Sequence, residues 1–316
     1  MRVLDQLWYG KSRLRWLLWP FSLIYRLVVA IKAAAYHRGI AKIISFDVPV
    51  IVVGNITVGG TGKTPLCIAL CDLLKQQGFR PGLVSRGYGG KASTWPQVVT
   101  PDSDPILVGD EPVLLVRRSG CPMVVGPDRV AAVQRLLADY KCDVVISDDG
   151  LQHYRMGRQV EIIVLDKARG LGNGLCLPAG PLRESSIRLE TVNHVIINGT
   201  DMHIRAGKIT ALNDKHNVLT AEAMAGKQVC AVAGIGNPQR FFDSLKSLNL
   251  DFTTTVFSDH HAFKPEDLSD ISADIIIMTE KDAVKCRAFA DSRCYVLPIS
   301  AELSAATAAR LLTDVT

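Results

Sequence analysis

Apolar and polar positions along this 316-residue chain follow the rhythm of strand, helix, strand. Residues 48–54 (VPVIVVG) are apolar almost throughout, which predicts a strand buried on both faces. Residues 64–77 carry a helical pattern stopped by Gly78. Residues 82–85, 123–126 and 143–147 read as further strands, with helical patterns around 112–118 and at 128–139. This alternation predicts an α/β architecture, a mostly parallel sheet flanked by helices on both faces. From about 150 to 225 the pattern loosens, Gly and Pro cluster in RGLGNGLCLPAGPL (169–182), and short β-like pieces remain at 192–198 and 208–219. We read this stretch as functional loops plus a small antiparallel β linker. A second, smaller α/β unit begins near Lys227, with strands at 228–233, 252–257, 274–278 and 294–298 and helices near 239–248, 265–270, 280–288 and 301–312.

The N-terminal arm is the most apolar part of the chain, from Leu14 through Trp16, Trp19, Phe21 and Ile24 to Ile31. On a helical wheel Lys11, Arg15, Ser22, Arg26 and Lys32 fall in a stripe about 120° wide. A wide apolar face, a narrow basic stripe and two tryptophans predict an amphipathic helix lying in a membrane interface. A helix packed on its own domain is the plainer alternative. The arm is a poor bilayer span, because its longest uncharged run, 16–25, contains Pro20 and is half of the roughly 20 residues needed. It also lacks the cleavage site of a signal peptide. The expected organisation is therefore a membrane-associating helix at 1–42, a core with its loops and linker at 43–225, and a C-terminal unit at 226–316.

Composition adds two exclusions. Residues 1–46 hold eight basic residues, Arg2 among them, and one acid, whereas the remainder has 28 basic and 30 acidic residues. The body therefore lacks the basic surface that nucleic-acid binding requires. Eight scattered cysteines match neither a disulfide framework nor a zinc spacing and read as reduced thiols.

The chemistry begins at Thr57-Val58-Gly59-Gly60-Thr61-Gly62-Lys63-Thr64, between the first strand and its helix. Glycines at such a junction let successive backbone N–H groups converge, and the helix N-terminus adds positive charge, so the concavity suits phosphate. Lys63 reaches the β/γ-phosphates and the Thr64 hydroxyl is placed for Mg²⁺; the chain departs from the usual GxxxxGK[ST] pattern only at Thr57. Asp148 and Asp149 end an apolar strand, expected on the next strand but one or two from the phosphate loop, where acids order Mg²⁺. Gly109-Asp110-Glu111-Pro112 opens a helix, and its acids either cap that helix or face the transferred phosphate. Ser85-Arg86-Gly87-Tyr88 follows a strand end, where open α/β sheets place ligands. Asp259-His260-His261 has no third metal ligand at useful spacing and is either a surface loop or a histidine that orients a catalytic acid across a cleft.

Taken in order, TVGGTGKTP (57–65), SRGYGG (85–90), GDEP (109–112), SDDGLQH (147–153), RGLGNGLCLPAGPLRE (169–184), FSDHHAF (257–263) and TEKDAVK (279–285) resemble the tetraacyldisaccharide 4′-kinase family of lipid A synthesis. The resemblance implies two α/β units joined by a small β linker, with ATP in the cleft. It implies transfer of the ATP γ-phosphate to the 4′-hydroxyl of a tetraacyl glucosamine disaccharide 1-phosphate, giving lipid IV-A, at the cytoplasmic face of a bacterial inner membrane. Thr57 to Thr64 would form the ATP loop, with Lys63 as phosphate clamp. Thr64, Asp148 and Glu111 would serve Mg²⁺, and Asp110 with His260 would supply the base, Asp149 being the competing base and His261 the competing histidine. Ser85, Arg86, Tyr88, Asn173, Arg183 and Glu184 would position substrate. No obligate protein partner is implied. Two other readings are a partitioning ATPase and a nucleotide-dependent metallochaperone or GTPase. The first wants a lysine where Val58 stands, and the second wants metal-ligand grouping or a guanine-reading motif that the chain lacks.

Overall fold

The computed structural model describes residues 3–10 and 12–314; Arg2 and Lys11 of the basic arm lie outside the described residues. The N-terminal arm forms α1 (Val3–Trp8) and α2 (Leu14–His37). There follow β1 (Val50–Gly54), α3 (Lys63–Gln76), β2 (Pro81–Ser85), β3 (Gln97–Val99), α4 (Pro105–Val108), α5 (Asp110–Ser119), β4 (Met123–Val125), α6 (Arg129–Asp139) and β5 (Val144–Asp148). The middle of the chain gives β6 (Val160–Asp166), β7 (His194–Asn198), β8 (Met202–Ala206), β9 (Thr210–Ala211), β10 (Asp214–Val218) and α7 (Ala221–Met224). The C-terminal segment gives β11 (Val229–Ala233), α8 (Pro238–Ser247), β12 (Thr253–Val256), α9 (Pro265–Ser269), β13 (Ile275–Thr279), α10 (Glu280–Cys286), β14 (Cys294–Leu297), β15 (Ile299–Leu303) and α11 (Ala305–Thr313).

Nine strands form the first sheet in the order β15-β8-β7-β6-β1-β5-β2-β4-β3, parallel from β8 to β4 with an antiparallel strand at each edge. Ile51, Val53, Leu66, Leu70, Val113 and Leu115 pack one face of this sheet against α3 and α5; Val52, Val84, Val133 and Leu136 pack the other against α6. β1 is wholly buried, as its unbroken apolar run requires. The second sheet runs β10-β9-β14-β13-β11-β12 and has its own core around Ala231, Ile277, Phe242 and Leu245.

Two expectations need correction. β6 lies beside β1 at the centre of the first sheet, with Val53 opposite Ile162, in a stretch read as loops. Glu161 interrupts the apolar pattern of VEIIVLD, and the fold tolerates it because Arg158 and Arg188 both pair with its carboxylate. β7 is likewise a parallel neighbour of β6, not part of an antiparallel linker. The linker strands divide between sheets: β8 pairs with β15 in the first, while β9 and β10 join β14 in the second. The expected helix at 301–312 starts later, because β15 first crosses to the nine-stranded sheet and Ser304 caps α11 by accepting from Thr307 N–H.

α2 runs 24 residues through Pro20; although the arm reads as a poor span, by length and composition alone this helix could cross a bilayer, the one among the described residues that could. Part of its polar stripe meets the body, while Arg26 and Lys32 stay exposed. The buried Ser22 hydroxyl donates to Cys176 O at 2.7 Å and accepts from Ala179 N–H at 3.0 Å. Tyr25 donates to Arg183 O at 3.2 Å, and Lys32 Nζ to Gln152 O at 3.2 Å. Trp16, Leu17, Phe21, Ile24, Leu27, Val28 and Ile31 are left facing outward, between 59% and 70% exposed. A contiguous apolar face of this kind marks an interaction surface.

Candidate active site

β1 delivers the chain into the phosphate loop, and every turn of that loop is fastened. Asn55 Nδ2 donates to Gly59 O at 3.2 Å and Thr61 Oγ1 at 3.4 Å, and Asn198 Nδ2 donates to Thr61 O at 3.1 Å. Val58 N–H donates to Pro181 O and Arg183 N–H to Ile56 O, so LPAGPLRE zips along the start of the loop. Gly59 and Gly62 have φ of +115° and +104°, conformations that side chains resist. Thr57 has no positive φ, which is why it stands without strain where a glycine is usual.

Lys63 opens α3 and places Nζ 3.8 Å from Asp149 Oδ1. Arg183 Nη1 donates to both oxygens of the same carboxylate, at 3.0 and 2.9 Å. Burial raises the cost of ionising Asp149, but Lys63 and Arg183 overcome it and hold the group below its ordinary value. Its neighbour behaves oppositely. Asp148 is buried at the end of β5, directly beside β1 rather than a strand further away. Burial, Glu111 and Asp149 push it up to about 7 against the pull of Lys63 and Arg129. Arg129 was missed at the sequence level; its buried guanidinium donates to Gly126 O at 2.8 Å, and burial brings it down to about 10.

The other wall forms where α5 of the first sheet meets loops and a helix of the second. Asp110, buried at the first turn of α5, receives the backbone N–H of Glu111 at 2.8 Å and faces His260 Nδ1 at 3.2 Å. Lys285 Nζ is 3.7 Å from the same carboxylate oxygen as His260. Burial opposes the charge on Asp110, and His260, Lys281 and Lys285 outweigh it, so its pKa is lowered; that of His260 is raised, chiefly by Asp110. Lys281 Nζ lies 3.1 Å from Glu111, 3.3 Å from His260 Nε2 and 3.6 Å from Asp259. The Tyr88 ring stands 5.1 Å from His260. The neighbouring His261 turns away, bound to Asp267 at 2.9 Å and stacked on Phe257 at 4.5 Å. Geometry thus separates two histidines that the sequence leaves equivalent. Lys281 and Lys285 belong to TEKDAVK, a motif legible in the chain but without an assigned role. Its Asp282 fixes the loop by accepting from Gly234 N–H at 2.9 Å and Thr279 Oγ1 at 2.7 Å.

The remaining candidates divide. Ser85 is buried at the end of β2 and accepts from Gly87 N–H, while Arg86 and Tyr88 are exposed at the mouth. Asn173 and Glu184, expected to touch substrate, are committed to structure. Asn173 Nδ2 donates to Leu7 O and Ala179 O, and its Oδ1 accepts from Leu175 N–H. Glu184 is buried and accepts from Gln152 Nε2 at 2.6 Å and from the Tyr154 hydroxyl, with Arg188 at 3.5 Å. No group of three or more His, Cys, Asp or Glu is assembled to hold a metal among the described residues.

A profile of tetraacyldisaccharide-1-P 4′-kinases matches residues 14–316. The chain belongs to that family. A tetraacyldisaccharide 4′-kinase of Nitrosococcus oceani is 49% identical over 310 residues, covering 96% of this chain and 92% of the relative. One from Methylobacillus flagellatus is 46% identical, covering 100% and 96%. Among solved structures, LpxK from Aquifex aeolicus in complex with ATP matches with a TM-score of 0.81 at 27% identity, covering 96% of this chain and 100% of that one. The nine-stranded sheet, the second sheet and the fastened phosphate loop are therefore the frame of a tetraacyldisaccharide 4′-kinase.

Proposed function

We propose that this chain transfers the γ-phosphate of ATP to the 4′-hydroxyl of a tetraacyl glucosamine disaccharide 1-phosphate, forming lipid IV-A at the cytoplasmic face of an inner membrane. The observation that carries this reading is the Asp110–His260 pair at 3.2 Å, supplied by two different sheets, with Glu111 close enough to act on Asp148 beside the phosphate loop. A phosphate site and a hydroxyl-activating pair thereby share one cleft. Lys63 and Arg183 stand ready to neutralise phosphate oxygens, which matters more than proton abstraction in a loose transition state. Asp110 accepts the hydroxyl proton as the bond to phosphorus forms, and His260 orients its carboxylate. Asp149, bound by Arg183 and Lys63, is the competing base.

Mg²⁺ fits the donor set. Thr64, Asp148 and Glu111 are hard oxygen ligands, and the raised Asp148 is a buried carboxylate that a divalent cation would relieve. Mg²⁺ takes one or two protein carboxylates and completes its shell with phosphate and water, so a three-acid cage is not required. Bound there, it would screen charge between the β- and γ-phosphates. Arg86 and Tyr88 at the mouth suit the sugar and its phosphate. The exposed apolar face of α2 suits the bilayer that holds the acceptor, with the body on the water side because Ser22, Tyr25 and Lys32 bond to it from the opposite side of the helix.

The test is transfer of labelled γ-phosphate to a tetraacyl disaccharide 1-phosphate, with the site of phosphorylation located by mass spectrometry. ATP hydrolysis that does not depend on the lipid, or phosphate placed elsewhere than the 4′ oxygen, overturns the reading.

A further inference from the structure

The loop after β6 brings another cation to the phosphate loop. Arg169 Nη1 lies 3.1 Å from where a Cβ on Gly59 would stand, and Gly59 has a φ of +115°. The positive φ at this third position of the phosphate loop disfavours a side chain, and one placed there would crowd the Arg169 guanidinium. The guanidinium is held from behind by the N-terminal arm: Nη2 is 3.5 Å from Asp5 Oδ1, and the group sits 5.0 Å from the centre of the Tyr9 ring. α1 is itself anchored, with Leu7 buried, Trp8 Nε1 donating to Pro178 O at 3.0 Å, and Trp8 O accepting from Asn173 N–H at 2.8 Å. Arg169 also borders an open cavity of about 1170 Å³ with Asp5, Asn237, Gln239 and Phe252, a cavity that no residue of the phosphate loop lines. The phosphate loop offers no cation of its own before Lys63, because residue 58 is Val58.

We propose that Arg169 is a cationic finger, supplied in cis, that reaches across Gly59 to the β/γ-phosphate oxygens of bound ATP. A loose phosphoryl-transfer transition state spreads negative charge over the equatorial and leaving oxygens, and a guanidinium fork at that point stabilises it more than the ground state. The bond between the γ-phosphorus and the β-bridging oxygen breaks while that to the acceptor oxygen forms. The hydroxyl proton goes to Asp110, and Arg169 exchanges neither proton nor electron. Asp5 and Tyr9 are positioning residues, which makes the N-terminal arm part of the catalytic apparatus as well as a membrane contact. The inference rests on the kinase reading, and loss of that reading would show separately, as wild-type protein that fails to phosphorylate the lipid.

The experiment compares wild type, Arg169→Ala and Arg169→Lys in full-length protein. Arg169→Ala is expected to lower kcat about 10²-fold or more while affinity for a non-hydrolysable ATP analogue changes less than about threefold. Affinity for ADP with aluminium fluoride, a transition-state mimic, should fall with kcat, and added guanidinium ion should restore part of the Arg169→Ala rate. Arg169→Lys keeps a charge but not the fork, and should remain about 10-fold or more below wild type with an unchanged Tm. Asp5→Asn and Tyr9→Leu should shift kcat in the same direction by less. The proposal is overturned if Arg169→Ala keeps kcat within about threefold of wild type. It is equally overturned if Tm, ATP affinity and kcat fall together with no rescue by guanidinium ion, since Arg169 would then only fasten α1.

Discussion

Pairing of Asp110 with His260 has a pH signature in stability that is independent of any assay of turnover. The carboxylate is 5% exposed on its side chain and the imidazole 26%, at 3.2 Å. A hydrogen bond to a charged group contributes about 1.5–3 kcal/mol, and partial exposure of the imidazole puts this pair at the low end, about 1–2 kcal/mol. With a neutral imidazole the same contact is worth about 0.5–1 kcal/mol. His260 has its folded-state pKa raised, so its contribution is fully present below the unfolded value and is lost as pH rises through the folded one. Asp110 is lowered, so its contribution is present above its unfolded value and is lost as pH falls through the folded one. Both hold between roughly pH 4 and 6.5, the ordinary Asp and His values. The groups facing the pair, Lys281, Lys285 and Asp259, remain in every variant. A double-mutant cycle of Asp110→Asn and His260→Ala, followed by denaturant unfolding at pH 6 and pH 9, isolates the pair. The coupling should be about 1–2 kcal/mol at pH 6 and about half that at pH 9. Coupling that is independent of pH, or larger at pH 9, would refute the argument.

In turnover the same two residues should act as a unit. Each single change should lower kcat about 10²-fold, the double change little more than the worse single, and ATP affinity should barely move; fully multiplicative losses would move the base elsewhere. Lys63→Ala should retain the fold and cut kcat by about 10³-fold or more, because it removes charge at the transferring phosphate; near-normal turnover would remove the loop from the reaction. Ser22→Val should cost about 1–3 kcal/mol by leaving Cys176 O and Ala179 N–H without their shared partner, read as faster proteolysis within α2 and a lower Tm. Changing Leu17, Ile24 and Leu27, all exposed, to Ser should leave Tm unchanged but release the protein from anionic lipid vesicles; unchanged vesicle binding would mean that this face is not the membrane contact.

The phosphate loop was legible from the chain alone because its physics is local. A strand, a glycine-rich turn and a helix N-terminus are consecutive, so residues 57–64 needed no distant contact to be recognised. The same holds for the strands β1, β11 and β13, whose hydrophobic runs follow from burial on two faces. Tertiary structure decided what depended on partners far along the chain. β6 was hidden because Glu161 breaks its pattern, and only Arg158 and Arg188 make that charge tolerable at its place in the sheet. The difference between His260 and His261 follows from which ring meets Asp110, 150 residues away, and which meets Asp267 on the helix that follows. Asn173 and Glu184 carried polar groups that suited a substrate, yet the fold consumes them in bonds to Leu7, Ala179, Gln152 and Tyr154. The amphipathic period of α2 was written in its sequence. Which side of it faces the body was not, because direction is set by the carbonyl and N–H groups of residues 152–183 that receive Ser22, Tyr25 and Lys32.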